Sequence, residues 1–173
     1  MRIRPLLFLD VDGTLIPTAE IALPANLEGW NTTWRTSTNP YLANIDASHG
    51  SQLLRLPVDI VWATAWMHDA NSIICPILGL PALPVADLGD LPGIDDPVWL
   101  EDDSSAELNW KTQALVRLAA GRPFAWIDDE LTDVDRAWVS KNHSGPTLLH
   151  RVDARCGLTA NDFVAVEQWL GSL

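Results

Sequence analysis

The sequence predicts an α/β fold with a parallel sheet at its centre. Short apolar runs alternate along the chain with segments of helical periodicity, which is the pattern of successive strand–helix units. The first run, residues 3–10, lacks the alternation of a half-exposed strand, as expected for a strand that is buried on both faces. The chain has 173 residues, 47% of them hydrophobic, which is enough for one domain with a substantial core.

Five apolar runs are predicted to be strands, and the third of them is the weakest. They cover residues 3–10, 58–64, 82–86, 124–127 and 147–150. Between the first two runs, residues 17–50 show little periodicity and many turn formers. We therefore expect a flap or loop there, within a single domain that spans residues 1–173.

Capping patterns and apolar spacing locate the helices. Ser104 with Glu107 is predicted to cap one helix, and Thr159 with Asp162 is predicted to cap the last. A helix over residues 67–78 is expected to be disturbed in its last turn by a proline. The positions predicted to face the core are Leu108, Leu115, Leu118, Leu131, Val134, Trp138, Phe163, Val166 and Leu170.

The charge of the chain is strongly negative and unevenly distributed. The formal net charge is −12, and no Lys or Arg occurs between Leu56 and Trp110. The acidic residues at 87–107 form either a solvated surface or a site for calcium or a second metal, although their spacing is not that of an EF-hand. In either case this charge repels extended polyanions, so long nucleic acid is not expected to lie across it.

The chain is expected to be cytoplasmic and free of the membrane. No apolar run is long enough to span a bilayer. The basic, apolar beginning faintly resembles a signal peptide, but Asp10 and Asp12 interrupt the run and no small-residue cleavage site follows. Cys75 and Cys156 lack metal-ligand spacing and are expected to be reduced thiols.

Two acids follow the first predicted strand in the sequence Asp10-Val11-Asp12-Gly13-Thr14. Two carboxylates placed two positions apart at a strand end can take different parts, one attacking phosphorus and the other handling a proton. Gly13 allows the chain to turn sharply at this point. The pattern is only moderately specific by itself, because Asp-Gly is also a common turn sequence.

Three further features fall at the carboxyl end of a predicted strand or at a helix start, and the carboxyl ends of strands are where ligands of parallel sheets bind. The Thr64 hydroxyl and the Ala65 N–H, after the second strand, can bind phosphate oxygens. Lys111 is the first cation after the acidic stretch, and it is either a surface residue or a point charge for a nucleophile and a phosphate. Asp128 and Asp129 end the fourth strand, where buried adjacent acids require a cation such as Mg²⁺.

Together these four features resemble the motifs of the haloacid-dehalogenase (HAD) superfamily, in the same order and the same strand context. The resemblance covers residues 3–170. It implies a Rossmann-like three-layer sandwich, with a parallel sheet of strand order 5-4-1-2-3 and helices on both faces. Neither residues 15–58 nor residues 67–110 leave room for a cap domain of ordinary size, so a small uncapped member is expected.

The resemblance also implies a role for each motif residue. Asp10 would attack phosphorus and become an aspartyl-phosphate, and Asp12 would protonate the leaving oxygen and then activate water. Thr64, Ala65 and Lys111 would bind the phosphoryl oxygens. The implied ligands of a Mg²⁺ cofactor are Asp10, Asp12 through its backbone carbonyl, Asp128 and Asp129. True dehalogenases lack an acid at the position of Asp12, so its presence favours phosphate chemistry.

The segments at 62–66 and 126–130 resemble most closely the small uncapped domains associated with RNA-repair proteins. This resemblance implies a polynucleotide end phosphate, entering end-on, as one substrate beside small phosphometabolites and nucleotides. Trp30, Trp34 and Trp66 lie in loops or just after a strand, where they serve either packing or contacts with a substrate. The alternatives to a phosphatase are a non-catalytic binding module of the same fold and a phosphotransferase.

Overall fold

A sheet of four parallel strands forms the centre of the molecule. The computed structural model describes residues 3–18, 21, 23–89 and 107–173. The strands are β1 (Leu6–Leu9), β2 (Asp59–Trp62), β3 (Phe124–Asp128) and β4 (Thr147–Arg151), in the order β2-β1-β3-β4. The central strand β1 pairs with both β2 and β3, so that Leu7 lies beside Ile60 on one side and Ala125 on the other. The predicted α/β class with a parallel sheet is confirmed.

The third predicted strand, residues 82–86, does not form, and the five-strand order 5-4-1-2-3 is therefore not confirmed. Only one parallel bridge, between Val85 and Trp62, joins this segment to the outer edge of β2. Its two hydrogen bonds run from the Trp62 N–H to the Pro84 carbonyl and from the Ala86 N–H to the Trp62 carbonyl. Pro84 has no N–H to extend the ladder, which limits the segment to this single bridge.

Six α-helices and several tighter or wider helical turns surround the sheet in the described residues. The α-helices are α1 (Leu27–Gly29), α2 (Ser48–Arg55), α3 (Cys75–Leu78), α4 (Thr112–Ala119), α5 (Asp133–Asn142) and α6 (Ala160–Gly171). Wider π-type turns at Trp30–Trp34 and Ala70–Ile74 adjoin α1 and α3, and a 3₁₀ turn covers Pro40–Asn44. Pro76 lies in the first turn of α3, where its missing N–H costs least, and the π turn precedes it.

The last helix begins as predicted, whereas the helix before β3 begins late. Thr159 and Asp162 form the predicted capping box of α6. Ser104 lies outside the described residues, and α4 starts only at Thr112, beyond Glu107 and Leu108. Here the Asn109 side chain accepts the Lys111 N–H and fixes a turn ahead of the helix. The prediction for Leu118 is also wrong, because this side chain is 42% exposed.

Two hydrophobic layers lie on opposite faces of the sheet. Leu7 and Leu9 point into one layer with residues of α2, α3 and α6, whereas Leu6 and Phe8 point into the other with residues of α4 and α5. This alternation follows from the two-residue period of a strand. It explains why all four residues of β1, Leu6–Leu9, are apolar and buried. Within the described ranges, no helix is both long and apolar enough to cross a bilayer.

Gly50 permits the close contact between α2 and the end of α3. A Cβ atom at Gly50 would lie 1.7 Å from the Leu78 carbonyl oxygen, which is backbone and cannot turn away. We expect Gly50→Ala to lower the free energy of unfolding by about 1–3 kcal/mol, measured by chemical denaturation. Gly171→Ala in α6 is the control, since no described atom lies within 4 Å of its Cβ position. Equal effects of the two substitutions would contradict this account.

Candidate active site

Three neighbouring strands bring the predicted acids and the predicted hydroxyl to one edge of the sheet. Asp10 directly follows β1, and its N–H donates to the Ile127 carbonyl of β3. Asp128 is the last residue of β3. Thr64 lies two residues beyond β2, where the Ala63 N–H donates to the Leu9 carbonyl. The site therefore results from the parallel alignment of β1, β2 and β3, whose carboxyl ends meet here.

The chain turns sharply after β1. The Val11 carbonyl accepts the N–H groups of three residues, Thr14, Leu15 and Ile16. Gly13 has a φ of 71°, in the left-handed region that favours glycine. A Cβ atom at Gly13 would lie 2.4 Å from the carboxyl carbon of Asp129. The glycine of the D-x-D-G-T sequence thus allows both the turn and the approach of a second acid.

Lys111 forms ion pairs with two of the predicted site acids. Its Nζ lies 2.8 Å from Oδ1 of Asp10 and 2.7 Å from Oδ2 of Asp128, and all three side chains are buried. Burial alone lowers the pKa of Lys111, but the charges of Asp10 and Asp128 raise it above its usual range. The ammonium is therefore held charged between two carboxylates, and the reading of Lys111 as a surface residue is wrong.

The acids at this edge exceed the positive charge that faces them. Asp10, Asp128 and Asp129 each offer an oxygen, and these three oxygens lie within 4.8 Å of one another. Burial raises the pKa of Asp10, and burial together with the charge of Asp128 raises the pKa of Asp129 to about 8. Carboxylate oxygens without sulfur or nitrogen ligands suit a hard cation such as Mg²⁺. The residues thus fit the predicted metal, whereas the contribution predicted for the Asp12 carbonyl stays a prediction.

Asp12 lies apart from this cluster, in contact with two tryptophans. The indole N–H of Trp34 donates to Oδ1 of Asp12 at 2.7 Å. The indole N–H of Trp66 lies between both carboxylate oxygens, 3.1 Å from Oδ1 and 3.0 Å from Oδ2. Burial raises the pKa of Asp12, and the two indole hydrogen bonds oppose that rise. The two aspartates of the motif therefore have different surroundings, as different chemical roles require.

The predicted phosphate-binding residues after β2 form a tight turn. The Thr64 side chain is fully buried, and its hydroxyl accepts the Trp66 N–H at 3.2 Å. The Ala65 carbonyl accepts a hydrogen bond from Nη1 of Arg35 at 2.9 Å. Ala65 also lines the pocket that contains Asp10. Ala65 is thus beside the acids, and the contacts predicted for Thr64 and Ala65 with phosphate remain predictions.

A pocket of about 50 Å³ opens over Asp10. Its acidic and cationic lining comes from Asp10, Asp12, Asp129, Glu130 and Lys111, and its remaining lining comes from Gly13, Thr18, Leu23, Trp30, Ala65 and Trp110. Trp110 and Glu130 were not predicted to be site residues. The sequence offered one signal for both residues, namely that each adjoins a predicted site residue: Trp110 precedes Lys111 and Glu130 follows Asp129.

The three tryptophans that were candidates for substrate contacts have different positions. Trp30 lines the pocket, so a contact with substrate remains open to it. Trp34 is 3% exposed and Trp66 is fully buried. Neither of these two rings offers a free face on which a base could stack, so the burial of both favours packing, one of the two predicted alternatives. Their polar edges instead contact Asp12.

The fold and the acidic site together define the class of the molecule as a HAD-type phosphoesterase domain. Residues 6–163 match the family model described as the HAD domain in Swiss Army Knife RNA repair proteins, and the chain belongs to that family. No curated protein and no solved structure shows a significant match to the chain.

The ion pairs of Lys111 are expected to stabilise the fold as well as the site. Lys111→Met would leave two buried carboxylates without their partner, so we expect the free energy of unfolding to fall by about 3–5 kcal/mol. Arg155→Met is the matched control, because Arg155 pairs with Asp153 on the exposed surface, where an ion pair contributes little to stability. Denaturation of both variants in metal-free buffer tests this, and a cost for Lys111→Met no larger than the control's would contradict it.

Proposed function

We propose that this domain is a Mg²⁺-dependent phosphomonoester hydrolase that forms an aspartyl-phosphate on Asp10. The observation that carries the proposal is the position of Asp10, buried directly after the central strand, paired with Lys111 and beside Asp128 and Asp129. A carboxylate in this position can reach a phosphoryl group in the pocket above it. Asp12, two residues further on, supplies a separate acid for the proton transfers.

Each group of the site has a part in this reaction. The Asp10 carboxylate attacks phosphorus while Asp12 gives a proton to the leaving oxygen. Asp12 then takes a proton from the water that hydrolyses the aspartyl-phosphate. The Thr64 hydroxyl and the Ala65 N–H bind phosphoryl oxygens, and the Lys111 charge offsets the repulsion between carboxylate and phosphate. A Mg²⁺ ion held by Asp10, Asp128, Asp129 and the Asp12 carbonyl would supply further compensation of charge.

We propose the end phosphate of a polynucleotide as the substrate, in preference to small phosphometabolites and free nucleotides. The family description, which refers to RNA repair proteins, supports this choice. The pocket supports it as well, because the aromatic side chains of Trp30 and Trp110 are among the residues that line it. Aromatic walls are suited to the terminal base of a strand that enters end-on.

The region at 17–50 is proposed to act as a flap that selects the substrate. Leu23 and Trp30 from this region line the pocket, and Trp34 contacts Asp12. Its described residues form short helical turns and the beginning of α2. These contacts support a flap over an otherwise uncapped site.

The first test removes the proposed nucleophile. Asp10→Asn should abolish Mg²⁺-dependent hydrolysis of p-nitrophenyl phosphate and of RNA oligonucleotides with a 5′- or 3′-phosphate, because the amide cannot attack phosphorus. Asp69→Asn, at an exposed position, should retain the wild-type rate. Turnover by the Asp10→Asn protein would refute the assignment of the nucleophile. Inactivity of the wild type on all esters, including sugar phosphates and phosphopeptides, would favour a binding module, and transfer to an added alcohol would favour a phosphotransferase.

The second test addresses the metal without measuring activity. In Gly13→Ala the new Cβ would force the Asp129 carboxylate away from the cluster. We therefore expect Mg²⁺ to raise the unfolding temperature of the wild type but to raise that of Gly13→Ala much less. Gly79→Ala is the matched control, because Gly79 has a similar φ of 66° and no described atom within 4 Å of a Cβ. An equal Mg²⁺ effect in the two variants would exclude Asp129 from the metal site.

A further inference from the structure

Two tryptophan side chains hold the Asp12 carboxylate in one orientation. Trp34 donates to Oδ1, and Trp66 donates to both Oδ1 and Oδ2. The two donors come from separate parts of the chain, one from the turn after α1 and the other from the loop after β2. Because both rings are buried in the core, neither indole can turn away without disturbing its neighbours.

Each tryptophan is itself fixed by further contacts. The Trp34 carbonyl accepts a hydrogen bond from the buried Asn39 side chain at 2.9 Å, and the Trp34 ring packs 5.5 Å from the Tyr41 ring. The Trp66 N–H donates to the Thr64 hydroxyl at 3.2 Å. Trp66 thus joins the proposed phosphate-binding turn to Asp12, and Trp34 joins the proposed flap to the same carboxylate.

The hydrogen bonds fill the acceptor sites of the two carboxylate oxygens unequally. A carboxylate oxygen can accept about two hydrogen bonds through its two lone pairs. Oδ1 accepts from both indoles and is filled, whereas Oδ2 accepts, among the described residues, a hydrogen bond from Trp66 alone. An indole N–H can only donate, so it cannot itself relay a proton to or from Asp12.

We propose that Trp34 and Trp66 are positioning residues for the acid–base step, and that they assign the transferred proton to Oδ2 of Asp12. The proposal rests on the proposed phosphatase function. As the bond from Asp10 to phosphorus forms and the bond from phosphorus to the leaving oxygen breaks, the proton of Oδ2 passes to that oxygen. When water later attacks phosphorus and the Asp10 carboxylate leaves, Oδ2 takes a proton from the water. The sum is ester and water giving alcohol and phosphate.

The kinetic test compares esters whose leaving groups differ in their need for an acid. Trp34→Phe and Trp66→Phe keep an apolar ring but lose the N–H. For an alkyl phosphate, whose leaving oxygen must be protonated, we expect kcat/KM to fall by about 10- to 100-fold, part of the usual effect of a general acid. For p-nitrophenyl phosphate, which has a stable leaving group, we expect a fall of at most about threefold. Equal falls for the two esters would overturn the proposal.

Trp62→Phe is the matched control for both substitutions. Trp62 is as deeply buried as Trp66, but its indole N–H donates to the Asn71 side chain at 3.1 Å. Loss of this N–H costs packing and a hydrogen bond without touching Asp12. We expect Trp62→Phe to change kcat/KM for the two esters by the same factor. A leaving-group preference in this control equal to that of Trp34→Phe would also overturn the proposal.

A spectroscopic test separates this proposal from the proposed function, because it needs no turnover. In ¹⁵N–¹H spectra of tryptophan-labelled protein, the three Trp→Phe variants assign the indole signals of Trp34, Trp66 and Trp62. Asp12→Ala should move the signals of Trp34 and Trp66, which lose their acceptor, and should leave the Trp62 signal in place. Unchanged Trp34 and Trp66 signals would refute the contact even in an active enzyme. If Asp12→Ala shifts these signals but the wild-type protein hydrolyses no ester, the phosphatase function is refuted and the indole contact still stands.

Discussion

The ammonium of Lys111 between Asp10 and Asp128 is the interaction on which the site depends. These three side chains are buried, and two isolated carboxylates at such a position would be protonated or would disfavour folding. Lys111 comes from the beginning of α4 and lies 101 positions from Asp10 in the chain. The ion pairs therefore tie the second half of the chain to the first strand and place a positive charge between two buried carboxyl groups.

The single positive charge of Lys111 does not balance the acids around it, and the remaining negative charge shapes the chemistry of the site. Asp129 lies beside the pair with a raised pKa, which reflects burial next to Asp128. Such a cluster favours a hard divalent cation, and the phosphoryl group that such a cation attracts is itself an anion. Asp12 instead faces the N–H groups of Trp34 and Trp66, which are neutral donors. The acids two residues apart thus differ in environment in the way that a nucleophile and a proton carrier require.

The sequence alone located the strand ends and the charged groups at them, because a continuous apolar run followed by an acid is visible without any tertiary information. Asp10 and Asp128 were predicted in this way, and Lys111 was predicted as the first cation after the acidic stretch. The contacts of Trp34 and Trp66 with Asp12 were not predicted, since the direction of a buried indole N–H depends on how distant segments pack. The third strand was overpredicted because residues 82–86 are apolar enough to match a strand, although Pro84 lacks the N–H that would extend the ladder. The late start of α4 depends on a hydrogen bond that the Asn109 side chain accepts. The predicted capping pattern of Ser104 and Glu107 did not reveal this bond.

The strong negative charge of the chain is compatible with a nucleic-acid end as substrate, because the surface charges and the charged groups of the pocket act over different distances. Charges on the surface are screened within about 10 Å at moderate ionic strength, whereas groups in a closed pocket are screened much less. A phosphate that enters the pocket above Asp10 meets the buried Lys111 at close range. A long strand lying across the surface would gain no comparable compensation over the rest of its length. The charge pattern therefore supports the proposal that the pocket recognises a terminus rather than a duplex or an extended strand.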